Sequence, residues 1–339
     1  MQLLTFEQAL DQSSHAKARH LLTGNGFSIA CRPNIFLYKK LFEQADFTKL
    51  SKAAREVFTA LNTQDFEKVI KALRDSAVVW PVYSKTGSKT VNKLISDADG
   101  LRELLVQTIA KNHPERPHDI SESEFAHCKD FLSNFKTKYT LNYDLLLYWT
   151  LMHNDPGVDP TSDDGFRKPE DDPDSAYVTW EGYNSHTQDV WFLHGALHLF
   201  DAGYEIQKYT WVNTGIALID QIRDALNSNK FPLFVAEGTS KEKIERIRHN
   251  DYLARGLRSF NQISGPLFIY GHSLAENDEH ILKAIERGKL NQVYVGVYGD
   301  QNSAANQAII SRANKLNYAG RKKVLDVHFF DAESAKVWG

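Results

Sequence analysis

From residue 266 onward the sequence repeats one pattern, an apolar β-branched run followed by an amphipathic stretch. PLFIYGHS leads to NDEHILKAIERG, QVYVGVYG to SAANQAIISRANKL, and KVLDVHFF follows. Runs this rich in apolar residues, with little polar alternation, need cover on both faces, and parallel pairing needs a crossover helix between strands. The pattern therefore predicts an α/β fold with a parallel sheet and helices on both sides. Upstream, PLFVAEG reads as a strand, and SKEKIERIRH and DYLARGLRSFNQI as helices. HLLT, ending at Thr23, FKTKYT, ending at Thr140, and VWFL, ending at Leu193, read as earlier strands of the same sheet. In such sheets ligands bind beyond the carboxyl ends of the strands.

The rest of the chain divides around that sheet. Residues 4–18 read as a short helix with Thr5 as its N-cap. From 34 to 135 the stretches FLYKKLFEQA, KLSKAAREVFTALN, DFEKVIKALRDSAVVW and DGLRELLVQTIAKN carry apolar residues at helical spacing, with Asp65 and Asp99 placed as N-caps. This predicts a core of 1–33 plus 136–339, interrupted by a large helical insertion at 34–135. Residues 154–175, rich in Asp, Pro and Gly, read as an exposed acidic loop. A β-hairpin is expected to turn at Asp201-Ala202-Gly203.

Bulk properties narrow the function classes. A net charge of −3 over 339 residues gives no footprint for nucleic acid. No apolar run nears the roughly 20 residues of a membrane span. The N-terminus lacks a basic start followed by an apolar stretch, so a cytoplasmic protein is expected. The two cysteines, Cys31 and Cys128, cannot form a four-cysteine zinc site.

The strand ends carry the polar residues. The first is followed by Gly24-Asn25-Gly26, with Phe27 and Ser28 behind. The second ends in Asn142-Tyr143-Asp144, a third in His194-Gly195, and another in Gly271-His272-Ser273. Parallel strands bring these tips to one rim. Each tip also has a purely structural reading. The glycine turn fits either a tight turn with positive φ or a phosphate cradle. Asn142 fits a helix cap and Asp144 a first-turn acid. His194 fits a core histidine, and His272-Ser273 a simple turn. His153, His186 and His198 add ring nitrogens, but no His-x-x-x-His pair with a helical acid appears, so no metal is expected.

The order of these motifs resembles the sirtuin-like NAD-binding fold, in the divergent branch found in bacterial antiphage defence. G-N-G-F and G-H-S-L also resemble the abortive-infection-H family. The resemblance covers residues 20–30, 136–150, 189–196 and 265–300, and leaves out the helical insertion. It implies a Rossmann-like, sirtuin-type sheet. It implies that Gly24, Asn25, Gly26 and Ser28 line the pyrophosphate and adjacent ribose of NAD. Asn142 would stand beside the nicotinamide ribose, Asp144 would hold that loop, and His194 would be the base. Gly271, His272 and Ser273 would meet the adenosine side, with Tyr298-Gly299-Asp300 near the adenine. Asn25 and Phe27 depart from the usual pattern, in which small residues are common.

Deacetylases of this kind carry a small domain stapled by four zinc-binding cysteines, which two cysteines cannot supply. Hydrolysis of the nicotinamide–ribose bond is therefore expected instead, with NAD as substrate. The activity implied is a gated NAD+ glycohydrolase of abortive infection, controlled by a partner protein, a nucleotide signal or oligomerisation. The helical insertion and the acidic loop are the expected gating surfaces. A non-catalytic NAD or ADP-ribose sensor, and a different abortive-infection effector such as a nuclease on the same fold, are the alternatives.

Overall fold

Apolar runs too hydrophobic to face water on either side occupy the middle of the molecule. The computed structural model describes residues 2–84, 88–153, 162–182, 186–210, 214–228, 230–235, 240–317 and 324–339. Six strands form one parallel sheet: β1 (His20–Thr23), β2 (Thr137–Thr140), β5 (Val190–Phe192), β8 (Ser264–Tyr270), β9 (Lys289–Val297) and β10 (Asp326–Asp331). Their order is β10-β9-β8-β1-β2-β5. The chain steps outward from β1 through β2 to β5, then returns to build β8, β9 and β10 on the other side. The order reverses between β1 and β8, which makes that junction the place for a ligand.

Register and burial show why both faces are covered. Tyr139, Leu22, Ile269 and Val295 are cross-strand neighbours and so share one face. There Tyr139 packs on Phe260, ring centroids 5.0 Å apart, from helix Asp251–Gln262. The opposite face carries Phe268, which stacks on Tyr294 and meets Phe6 and Phe135. Phe6 opens helix Phe6–Gln12, capped as expected by Thr5, whose hydroxyl accepts the Gln8 N–H. Each aromatic ring buried this way contributes about 1.5–3 kcal/mol.

Between β1 and β2 the described residues form helices only, the longest being Phe66–Tyr83 and Ser88–Asn112. Asp65 caps the first, its Oδ1 accepting from Lys68 N at 3.2 Å. Asp99 caps nothing. It lies inside the second helix, because Ser88–Ala98 continue the helical backbone ahead of it, and its carboxylate pairs with Arg74. No helix of the described residues is long and apolar enough to cross a membrane.

Two expectations need correction. Of the stretch read as an exposed acidic loop, 154–161 lie outside the described residues, while Phe166–Arg167 form β3. With β4 (Tyr177–Trp180), β6 (Leu199–Asp201) and β7 (Ile206–Tyr209), it builds a second, antiparallel sheet in the order β3-β4-β7-β6. Phe166 drives this: it is buried against Tyr252, and the buried Lys208 ammonium lies over its ring while pairing with Asp164. The β6–β7 pair is the expected hairpin, with Ala202 N–H donating to Glu205 O at 3.0 Å. PLFVAEG does not add a sheet strand. Residues 236–238 lie outside the described residues, and Phe234 makes only an isolated antiparallel bridge with Gly195. Pro232 lacks a donor, and residues 233–235 bond instead around the turn after β5, as in Val235 N–H to His194 O at 2.8 Å.

Candidate functional site

At the β1/β8 junction two glycine turns lie in contact. A Cβ on Gly26 would come 2.5 Å from Gly271 Cα, and one on Gly24 would come 2.8 Å from Gly271 O. Gly26 N–H donates to Gly271 O at 2.8 Å, and Gly24 N–H to Tyr270 O at 3.0 Å. Gly271 has φ +69°, whereas Gly24 and Gly26 are not in the left-handed region. The two glycines after β1 are thus needed for close approach of backbone to backbone, and the positive φ falls on Gly271. Asn25 is αR, and its amide donates to Phe36 O at 3.1 Å, tying the turn to the helical segment. Trp338 Nε1–H donates to Phe27 O, fixing the short helix that follows.

Asn142 does not cap a helix. The helix after β2 is Leu146–Met152, and it is Asp144 Oδ1 that accepts its Leu146 N–H, at 2.9 Å. The Asn142 amide donates to Ser28 Oγ at 2.9 Å, and the Ser28 hydroxyl donates in turn to Asp144 Oδ2. This chain of donors ends on a carboxylate, which fixes the amide's orientation. The Asn142 carbonyl oxygen is left without a partner among the described residues, on the wall of the cavity. Burial raises the Asp144 carboxyl above its ordinary value, against the bonds from Ser28 and Leu146.

Beside it lies a buried polar cluster. His194 Nε2 meets His280 Nε2 at 3.0 Å, so one ring carries the proton and the other the lone pair. His272 Nδ1 accepts Leu274 N–H at 3.1 Å, and its Nε2–H therefore donates to Asp278 Oδ2 at 3.0 Å. Lys243, 1% exposed, places Nζ 2.9 Å from Asp278 Oδ1 and 3.1 Å from Glu67 Oε2. Burial holds the His194 imidazole well below its usual range, with the Lys243 charge adding to this, so the ring is neutral at pH 7. Burial pulls His280 down to about 4. Burial works against the charged Asp278, yet the His272 bond and Lys243 outweigh it and keep the carboxylate ionised. Burial pushes Glu67 up to about 7 despite Lys243.

Of these groups His194, His272, Asp278 and Glu67 face a cavity of about 640 Å³, a common size for a small-molecule site. Gly24, Asn25, Gly26, Asn142, Asp144, His194, Gly271, His272 and Ser273 all line it. Ser28 is fully buried behind them. Tyr298 reaches the wall, on a loop that Asn306 holds by bonds to Tyr298 O and Asp300 O. His153 does not: it pairs with Glu122 and stacks on Phe125. Tyr38, Asp65 and Glu67 form the opposite wall, so the helical segment closes the site.

Asp278, Lys243, His280 and Glu67 escape a reading of the sequence. One signal for Lys243 was there, since it lies four residues before the buried Ile247 on an apolar helix face. His194, Asp278 and His280 bring three donor atoms within 4.8 Å of one another, from segments too far apart for a spacing motif. The carboxylate oxygen nearest that point already holds the Lys243 ammonium, whose charge opposes a divalent ion there.

No curated protein matches the chain. The model of one family matches residues 21–338, which is nearly the whole sequence. The chain belongs to that family, described as a domain of unknown function (DUF4917).

Proposed function

We propose that the chain is an NAD+ glycohydrolase, cleaving NAD+ to nicotinamide and ADP-ribose, on a sirtuin-type variant of the Rossmann-like fold. One observation carries the reading. A cavity of about 640 Å³ at the β1/β8 reversal collects the unpartnered Asn142 carbonyl, the His194 ring and the two glycine turns. The motif order that resembles sirtuin-like defence proteins supplies the substrate class.

The chemistry asks little of the protein. The C1′–N bond breaks with its electron pair going to nicotinamide, which leaves as a neutral molecule because it was cationic in NAD+. Water attacks C1′ of the oxocarbenium-like ribose and loses one proton. Asn142 Oδ1 orients that water or the ribose hydroxyl beside it. His194, neutral at pH 7, has a lone pair to take the proton, and Asp278 Oδ1, 3.9 Å from Nε2, stabilises the imidazolium. Asn25, Gly24 and Gly26 position the helical wall and the neighbouring turn rather than offering a ring of free N–H groups.

A dinucleotide hydrolase without control would exhaust its own cell, so the activity is gated. The helical wall carrying Tyr38, Asp65 and Glu67 is the gating element, moved by a partner protein, a nucleotide signal or self-association, in a cytoplasmic antiphage role. One observation favours a second reading, a non-catalytic NAD or ADP-ribose sensor. The His194 ring is held far below neutral basicity, which suits binding a hydroxyl better than accepting its proton. Incubating the pure chain with NAD+ separates them: equal amounts of nicotinamide and ADP-ribose mean a hydrolase, and binding without products means a sensor.

A further inference from the structure

A second hollow, of about 780 Å³, lies on the other side of the His194–His280 contact, with His280 in its wall. Six cationic side chains from four helices surround it. Lys71 comes from Phe66–Tyr83, Lys241 and Arg248 from Ser240–Arg248, Arg258 from Asp251–Gln262, and Lys283 and Arg287 from Glu279–Arg287. The wall also holds two acids, Glu276 and Glu279, and both are already paired, with Arg312 and Lys283. Lys71 is paired with Asp75. Lys241, Arg248, Arg258 and Arg287 have no hydrogen-bond or ion-pair partner among the described residues.

Four unpaired cations in one concave site are out of character for a chain of net charge −3. Elsewhere on the helices some cations are paired, as Lys52 is with Glu56 and Lys40 with Glu43, and others such as Lys93 and Lys315 stand singly among the described residues. What sets this site apart is four unpaired cations gathered in one hollow. Like charges gathered in a hollow focus the field and repel one another until an anion enters. Three of the four are arginines, whose planar forks match phosphate oxygens two at a time. Ile244, Ala254, Leu257 and Ala284 add an apolar floor suited to an organic group on the same ligand.

We propose that this hollow binds a small oligophosphate ligand. Its size suits a small molecule, and the acidic chain around it disfavours a long polyanion. The Ser240 hydroxyl, also in the wall, lies 3.4 Å from His280 Nδ1, so an occupant sits one ring away from His194. The assignment stands on charge and shape and is independent of whether the first cavity cleaves NAD+.

The test is calorimetric titration of the full chain with inorganic tripolyphosphate at low salt, beside the double variant R258Q/R287Q. Both side chains are exposed, so the variant folds. Binding of tripolyphosphate that weakens at least about tenfold in the variant, and weakens with added salt, supports the site. No binding at millimolar tripolyphosphate, or binding that the variant leaves unchanged, overturns it. Tight binding of a 20-base-pair DNA duplex without binding of tripolyphosphate overturns it too, in favour of a nucleic-acid surface. NAD+ titrated into the same double variant reports on the first cavity separately, so failure of either assignment is seen without the other.

Discussion

Gly26 and Gly271 touch backbone to backbone where the strand order reverses: Gly26 N–H donates to Gly271 O at 2.8 Å, and neither residue has room for a Cβ. The contact joins the ends of β1 and β8 and sets the edge of the cavity. Gly271→Ala combines a positive φ with a Cβ 2.6 Å from Phe27 N. We predict a loss of about 2–4 kcal/mol in stability, read by urea denaturation. An unchanged midpoint would mean that the turns part at no cost.

Lys243 is the shared cation of two buried carboxylates. Lys243→Met leaves Asp278 and Glu67 facing each other without a counter-charge. The expected cost is about 3–5 kcal/mol. Lys243→Met with Asp278→Asn and Glu67→Gln together should recover much of it. If the single and triple variants are equally unstable, packing of the lysine stem rather than charge is what matters.

Acid should destabilise the protein early. His20, His113 and His280 are lowered to about 4, and His194 and His198 well below their usual 6.5, burial being the first cause in each. These rings stay neutral in the folded chain and gain protons near pH 6.5 when unfolded. Their contribution is whole above pH 6.5 and is lost as pH falls toward 4. Glu67 runs the other way, since its raised pKa favours folding at low pH and that benefit fades as pH rises through about 7. Asp65, Asp144 and Asp189, also raised by burial, act in the same direction as Glu67. Five histidines with depressed pKa values outweigh them, so the melting temperature should fall steadily from pH 6.5 to 4.5. A flat profile over that range would contradict the buried neutral state.

Chelation should do nothing. With Lys243 on Asp278, EDTA is expected to leave the melting temperature and any activity unchanged. A fall of several degrees, restored by zinc, would show that His194, Asp278 and His280 hold an ion.

How far the sequence reached is clearest at single residues. The strand ending at Tyr270 was legible because an apolar run between helices has few other uses, whereas the shorter HLLT and TKYT, which include His20 and Lys138, were read with the help of the polar turns that follow them. Their tips were legible as one rim, since parallel strands share a direction. The short strand at Phe166 was hidden because one aromatic in a run of Asp, Pro and Gly carries no periodicity. The glycine turn was read as either a tight turn with positive φ or a phosphate cradle, whereas the close neighbour that leaves no room for a Cβ, Gly271, is one that local sequence cannot reveal. The same holds for the polar cluster. Lys243 finds Asp278 35 residues away and Glu67 176 residues away, and no local pattern encodes such pairings. Asn142 was legible as a polar residue at a strand end, but its partner, Ser28, is 114 residues distant.

Entry of NAD+ into the cavity at the β1/β8 junction is tested most directly by NAD+ affinity and nicotinamide release, taken together, for the natural chain, Asn142→Ala and His194→Gln. We expect NAD+ to bind the natural chain at one site and nicotinamide to appear. In both variants turnover should fall by roughly 10²–10⁴-fold while NAD+ still binds within about tenfold of its natural affinity. Undiminished turnover in a stably folded His194→Gln protein would remove His194 from the chemistry, and no binding of NAD+ to the natural chain at millimolar concentration would contradict NAD+ as the ligand of this cavity.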